Sequence, residues 1–227
     1  MGQMCWTFPS TGPRGKQGSI KAQPAAKAEF PWQAQLLKRG AHVCGAVLVS
    51  DRWLLTAAHC LSGLEELDAY QQSDIALIKL DRPALLGDGV APIPLPKATD
   101  DFTGKYGVAA GWGASDATAE GPIYPRLLHK VPLRVLSDEQ CLRRLLYFSF
   151  APRPMLCAVP SPESSLCWGD SGGGLAYYRA PGAPVLAAIT SWGVDCGLTD
   201  TPAVFIDVAY HVNWIKDTMN EPLFDTV

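Results

Sequence analysis

Residues 169–173 read Gly-Asp-Ser-Gly-Gly. A serine set among glycines is either a hydroxyl held out by a tight turn for attack, or one more small residue in a surface loop. Five residues match only the loose pattern G-x-S-x-G and do not decide between the two. The chemistry that would decide is acyl transfer. A serine hydroxyl is a poor nucleophile at neutral pH, so an imidazole must take its proton, a carboxylate must orient that imidazole, and amide donors must meet the developing oxyanion. The chain has four histidines, His42, His59, His129 and His211, and a histidine serves structure as readily as catalysis. His59 stands out because it lies at the end of the run Leu-Leu-Thr-Ala-Ala-His-Cys, where apolar residues give way to small ones and to a cysteine able to tie the turn to a neighbour. Asp74 opens the run Asp-Ile-Ala-Leu-Ile-Lys-Leu. A carboxylate buried there needs a partner, and an imidazole is such a partner.

Strands must position these side chains. At 227 residues the chain is long enough for one large all-β or mixed domain, or for two small subdomains sharing a cleft. Residues 32–37 and 42–50 read as short half-buried strands, residues 52–60 run apolar into a turn, and residues 74–80 alternate with period two. Residues 129–136 and 184–192 repeat the theme, separated by turn signals such as Gly111-Trp112-Gly113, Ala180-Pro181-Gly182 and Cys196-Gly197. Two helices interrupt it. Residues 137–142 open with Ser137 and Gln140 in a capping-box pattern and carry Cys141. Near the C-terminus Val208, Val212, Ile215 and Met219 fall on one helical stripe. Many short strands and few helices predict an all-β barrel or sandwich and not alternating βαβ units. Pro9, Gly12, Pro13, Gly15, Gly18 and Pro24 mark residues 1–29 as a disordered or wrapping arm, leaving a domain over 30–219 and a tail at 220–227.

Nineteen basic and 22 acidic residues, net charge −3, are interspersed along the chain. That excludes a nucleic-acid track or a polybasic membrane contact as an expectation. No apolar run has the length of a membrane span, and the first thirty residues lack the apolar core of a secretory signal. Seven cysteines point instead to an oxidising compartment, so a secreted, extracellular domain without its leader is expected. The histidines and spare carboxylates show no ligand spacing, and no metal or cofactor is expected.

The runs TAAHC, DIALIKL, AGWGA, GDSGG and ITSWG occur in an order that resembles the chymotrypsin-like (trypsin-like) serine protease family, over residues 30–219. The resemblance implies two six-stranded antiparallel β-barrels with a C-terminal helix, acting on protein or peptide substrates and open to protein protease inhibitors. It implies that His59 is the general base, Asp74 its orienting partner and Ser171 the nucleophile, with the backbone amides of Gly169 and Ser171 as the oxyanion hole. Ser191, Trp192 and Gly193 are similar to the family's edge segment that pairs with an extended substrate. Ser165 is expected at the base of the side-chain pocket, Gly193 and Ala203 on its walls, and Trp168 at its rim. No carboxylate stands there, so the pocket disfavours Lys or Arg and an apolar or aromatic residue before the scissile bond is expected. The resemblance also implies disulfides Cys44–Cys60, Cys141–Cys157 and Cys167–Cys196, each contributing about 3 kcal/mol in a chain-entropy picture. A further family bridge would need cysteines at Gly107 and Tyr177, and both are absent together. Cys5 is left over, to bond another segment or chain or to stay free.

Two departures from the family pattern bear on activity. In the family, cleavage after a basic residue frees an Ile or Val amine that pairs with the Asp before the nucleophile, here Asp170. The matching stretch has Ser19 and not a basic residue directly ahead of Ile20, and an unpaired buried carboxylate costs roughly 3–5 kcal/mol. Asp170 is expected to turn to His42 instead. Second, His59 and Asp74 are 15 residues apart, where the family has about 45. Fifteen residues span up to about 50 Å, so the triad can close, but the first barrel is expected to be truncated, with exposed edges. The competing readings are a catalytically silent homologue acting as a binding or regulatory module, and an α/β-hydrolase elbow followed by Asp207 and His211, against which the strand-rich pattern speaks.

Overall fold

A computed structural model describes residues 22–61, 73–118, 121–148, 150–161, 164–194 and 201–221. The chain comes in through β1 (Gln23–Pro24), which pairs with a strand of the C-terminal half. Pairing therefore begins before Phe30, and the Glu29–Lys130 ion pair fixes the end of this segment to the same strand. Four strands with outward polar and inward apolar residues follow: β2 (Gln33–Lys38), β3 (Ala41–Leu48), β4 (Trp53–Thr56) and β5 (Ala76–Lys79). They form one antiparallel sheet in chain order. Val47 and Leu55 are fully buried within it, each worth about 1.5–3 kcal/mol in apolar burial.

The C-terminal half contributes β6 (Tyr106–Gly111), β7 (Asp116–Thr118), β8 (Gly121–Ile123), β9 (His129–Val135), β10 (Met155–Pro160), β11 (Gly174–Arg179), β12 (Ala183–Gly193) and β13 (Ala203–Asp207). The ribbon of β7 and β8 stands apart. The rest pair in the order β9-β10-β13-β12-β11-β6, and β6 pairs back onto β9, so six strands close into a barrel. Leu133, Leu175, Ala188 and Phe205 fill it. Helix α1 (Asp138–Arg144) starts from Ser137 in a complete capping box with Gln140 and carries Cys141 to its disulfide with Cys157. Helix α2 (Val208–Asn220) is capped by Asp207, whose side chain accepts the amides of Ala209 and Tyr210. Val208, Val212 and Ile215 of its stripe are buried against the body.

Two six-stranded barrels were the expectation, the first one truncated. One closed barrel is present, and among the described residues its counterpart is an open sheet of four strands. Among the described residues β2 and β5 have a strand neighbour on one side only. The two halves meet where β3 lies on the loop before β11. A β-carbon on Gly45 would sit 2.9 Å from the Gly173 nitrogen, and one on Gly174 would sit 2.9 Å from Val47. Glycine at both positions permits this approach.

Candidate active site

The pairing of β4 with β5 sets Thr56 opposite Ala76. Beyond Thr56 the chain makes a 3-10 turn, Ala58–Cys60, anchored to β3 by the Cys44–Cys60 disulfide. Asp74 lies two residues before Ala76, so this register brings His59 and Asp74 together whatever the length of the link between them. The Asp74 carboxylate accepts the His59 amide at 2.9 Å and its Nδ1 at 2.8 Å, and it accepts a short bond from the Ser191 hydroxyl. Burial pushes the Asp74 pKa up, but the hydrogen bond and charge of His59, with the Ser191 hydroxyl and the His59 amide, outweigh burial and hold it below the ordinary carboxylate range. An imidazole that donates from Nδ1 to this carboxylate carries its lone pair on Nε2, the tautomer of a general base.

Ser171 sits in a turn that only glycine tolerates on either side, with φ +94° at Gly169 and +80° at Gly172. A side chain on Gly172 would collide with the Thr56 hydroxyl and the Gly45 carbonyl. The Ser171 carbonyl accepts from the Gly45 amide at 2.7 Å, and the Gly172 amide donates to Thr190 at 2.8 Å. The Ser171 hydroxyl donates to the Ser191 carbonyl at 3.2 Å. Ser191 thus touches two of the residues singled out in the sequence, its hydroxyl on Asp74 and its carbonyl on Ser171, and His59 joins them through Asp74. Among the described residues the amides of Gly169 and Ser171 donate no backbone hydrogen bond.

Asp170 points away from this cluster. Its carboxylate accepts the amides of Gly113 and Cys167, both at 2.9 Å. Burial raises its pKa, opposed by those two amides and by the charges of His42 and His129. The expected turn toward His42 is not the arrangement found: the His42 Nε2 donates to the Gly169 carbonyl at 2.9 Å, while two amides already solvate the carboxylate. A small cavity of about 20 Å³, lined in part by Ala22, Gly113, His129 and Ser165, adjoins Asp170.

Of the residues expected to form the side-chain pocket, Ser165 lines the cavity beside Asp170. Ser165 is buried and its hydroxyl donates to the Leu166 carbonyl at 2.9 Å. Gly193 and Ala203 are paired across β12 and β13. Trp168 is half exposed, and the Trp192 ring lies tilted against Phe148 with centroids 6.1 Å apart. Cys167 is disulfide-bonded. Its expected partner Cys196 lies outside the described residues, as do Ile20 and Cys5. Cys44, His59 and Cys60 lie close enough together to ligate a metal, but both sulfurs are joined in the disulfide. The sequence reading gave Ser191 only an edge role and missed its hydroxyl; a serine within a buried apolar strand was the available signal. The Gln35 and Tyr124 side chains, which face His42, carried no such signal.

The family model described as Trypsin matches residues 19–71 and 65–215. Transmembrane protease serine 9 of Rattus norvegicus is 35% identical over 89% of the chain and 22% of its own length. Kallikrein-8 of Rattus norvegicus is 32% identical over 90% of the chain and 88% of its own length. Against transmembrane protease serine 11G of the same organism, at 30% identity, the chain spans only 54% of the relative's length. The solved structure of neuropsin from mouse brain superposes with a TM-score of 0.74 at 29% identity, over 88% of this chain and 100% of that one. Among the described residues no helix is long and apolar enough to cross a membrane.

Proposed function

Because the chain belongs to the trypsin-like serine protease family, we propose that it is a serine endopeptidase whose triad is His59, Asp74 and Ser171. The observation that carries the reading is Ser191, bonded at once to Asp74 and to Ser171. In the resting state the Ser171 hydroxyl leaves a weak bond to Ser191, worth about 1 kcal/mol, and rotates to the His59 Nε2. Its oxygen attacks the scissile carbonyl carbon while Nε2 takes the proton, and the former carbonyl oxygen gathers negative charge at the amides of Gly169 and Ser171. Each such donor typically accelerates reaction about 10²–10³-fold. Collapse of the intermediate expels the amine, protonated by His59. Water then repeats the sequence on the acyl-serine.

A pocket with Ser165 at its base and Gly193 and Ala203 on its walls would carry no carboxylate, which supports an apolar or aromatic residue before the scissile bond. The segment Ser191, Trp192 and Gly193 offers backbone to an extended substrate or to a substrate-like protein inhibitor. The disulfides support an oxidising, extracellular location. The cavity beside Asp170 would receive a terminal amine released at Ile20, two residues before Ala22, a distance of about 7 Å at full extension.

A fluorophosphonate probe tests the reading. Labelling of Ser171 that is lost in Ser171→Ala and in His59→Ala is the expected result. Silence of the folded chain toward the probe, with or without an Ile20 terminus, would overturn it in favour of a catalytically silent homologue.

A further inference from the structure

Two imidazoles serve the loop around Ser171, and only one of them belongs to the triad. His42, near the start of β3, donates from Nε2 to the Gly169 carbonyl at 2.9 Å. Its Nδ1 faces the side-chain amide nitrogen of Gln35 on β2, 3.4 Å away. A carbonyl oxygen only accepts, so Nε2 must carry a hydrogen. In a neutral ring Nδ1 is then a lone pair, and the Gln35 amide is the matching donor. Tyr124, just after β8, meets the ring edge-on at 5.7 Å. A β-carbon on Gly169 would lie 2.9 Å from the His42 Nε2 and 3.0 Å from Tyr124, so imidazole and phenol together close over that residue. Three residues further along β3, the Gly45 amide holds the Ser171 carbonyl at 2.7 Å, and from β4 the Thr56 hydroxyl holds the Gly45 carbonyl at 2.8 Å. One strand therefore grips the carbonyls of both residues whose amides are assigned to the oxyanion hole.

Resting on the serine protease reading, we propose that Gln35 and His42 are positioning residues of that hole: Gln35 selects the Nε2–H tautomer of His42, and that tautomer fixes the peptide between Gly169 and Asp170. The opposite tautomer would set a lone pair against a carbonyl oxygen and release the Gly169 turn. The contrast with His59 is chemical. A carboxylate on Nδ1 makes His59 a base at Nε2, whereas an amide donor on Nδ1 keeps His42 a hydrogen-bond donor at Nε2. The titratable groups facing the His42 ring are Asp170 from the loop and Tyr124 after β8; Lys38 and Arg39 of the β2–β3 turn are exposed.

Imidazole nitrogen-15 spectra of the full chain read the tautomer directly, whether or not the chain turns over. The expected result is Nε2–H for His42 in the native chain, and Nδ1–H in Gln35→Glu once the ring is neutral, because a carboxylate accepts where the amide donated. In turnover, Gln35→Leu is expected to lower kcat about 3–10-fold with KM little changed. Gln35→Glu is expected to keep activity only where His42 still carries both hydrogens while the His59 base is neutral, and to lose it as pH rises further, a limb absent from the native chain and from Gln35→Leu. A merely structural Gln35 would lower the melting temperature without adding that limb. Nδ1–H in the native chain overturns the proposal, as do equal kcat and pH profiles in all three chains. If Gln35→Glu does not fold, the native spectrum and the mixed tautomers expected of Gln35→Leu still decide. A native chain with the Nε2–H tautomer but no reaction with fluorophosphonate would count against the protease reading alone.

Discussion

The C-terminal half of the molecule closes on itself, whereas among the described residues the N-terminal half forms an open sheet. Every strand of the barrel has two neighbours, whereas β2 and β5 of the open sheet have one each among the described residues. Both halves nevertheless supply the candidate site. The open sheet contributes His59, Asp74 and His42, and the barrel side contributes Ser171, Ser191 and Asp170. The difference teaches how local the joining of His59 to Asp74 is: one register, Thr56 opposite Ala76, and one disulfide, Cys44–Cys60, flank it. The nucleophile turn demands more, because its carbonyls and amides are held by β3 on one side and by β12 on the other.

The sharpest break in the comparison is Asp74→Asn. The open sheet should stay folded, but an amide cannot hold His59 in the basic tautomer, and kcat is expected to fall about 10⁴-fold; turnover and circular dichroism measure the two effects separately. Next come the disulfides. Cys44–Cys60 and Cys141–Cys157 each close 16 residues of separation, so replacing either pair by serine should cost about 3 kcal/mol in denaturant unfolding. Only the first should slow fluorophosphonate labelling of the folded fraction, since Cys60 adjoins His59.

Acid should then divide the halves by sign. The pKa of Asp74 is lowered in the native state, so its contribution to stability is present above the ordinary value of about 3.9 and is lost as pH falls through the native one. Burial, opposed by the amides of Ala209 and Tyr210, raises Asp207 at the end of the barrel to about 6. The fold prefers that group protonated, so its contribution is full below about 3.9 and is lost as pH rises through the native value. Asp207→Asn keeps the capping acceptor. It should remove that decline and raise the Tm at pH 7 by about 2–4 °C, read from melting curves across pH 4–7. The smallest effect belongs to the open edge: Leu37 on β2 is 57% exposed, and Leu37→Lys should change stability by less than about 0.5 kcal/mol while reducing self-association in sedimentation velocity.

Much of this was legible along the chain. The Ser137 and Gln140 pair announced the start of α1, and the Val208, Val212, Ile215 stripe announced the buried face of α2, because capping and helical periodicity are local properties. The strands around residues 33–56 were legible for the same reason. Asp74 was legible as a buried acid in want of an imidazole, since an apolar strand flanks it on the chain itself. The double use of Ser191 was not: its place in a buried apolar strand marks a hydroxyl in want of a partner, but that partner, Asp74, lies 117 positions away. Nor was the direction of Asp170, which depends on whether the amides of Gly113 and Cys167 or the ring of His42 reach the carboxylate first.

By itself the sequence determined which residue types were present to do chemistry and where several strands and both helices start, because propensity, periodicity and capping act within a few residues. Only the tertiary structure decided that six strands close into a barrel while, among the described residues, four form an open sheet, that Ser191 stands between Asp74 and Ser171, and that the loop at Gly169 is held from β3. Those outcomes depend on hydrogen bonds between groups far apart in the chain, whose directions are fixed only when both partners are packed.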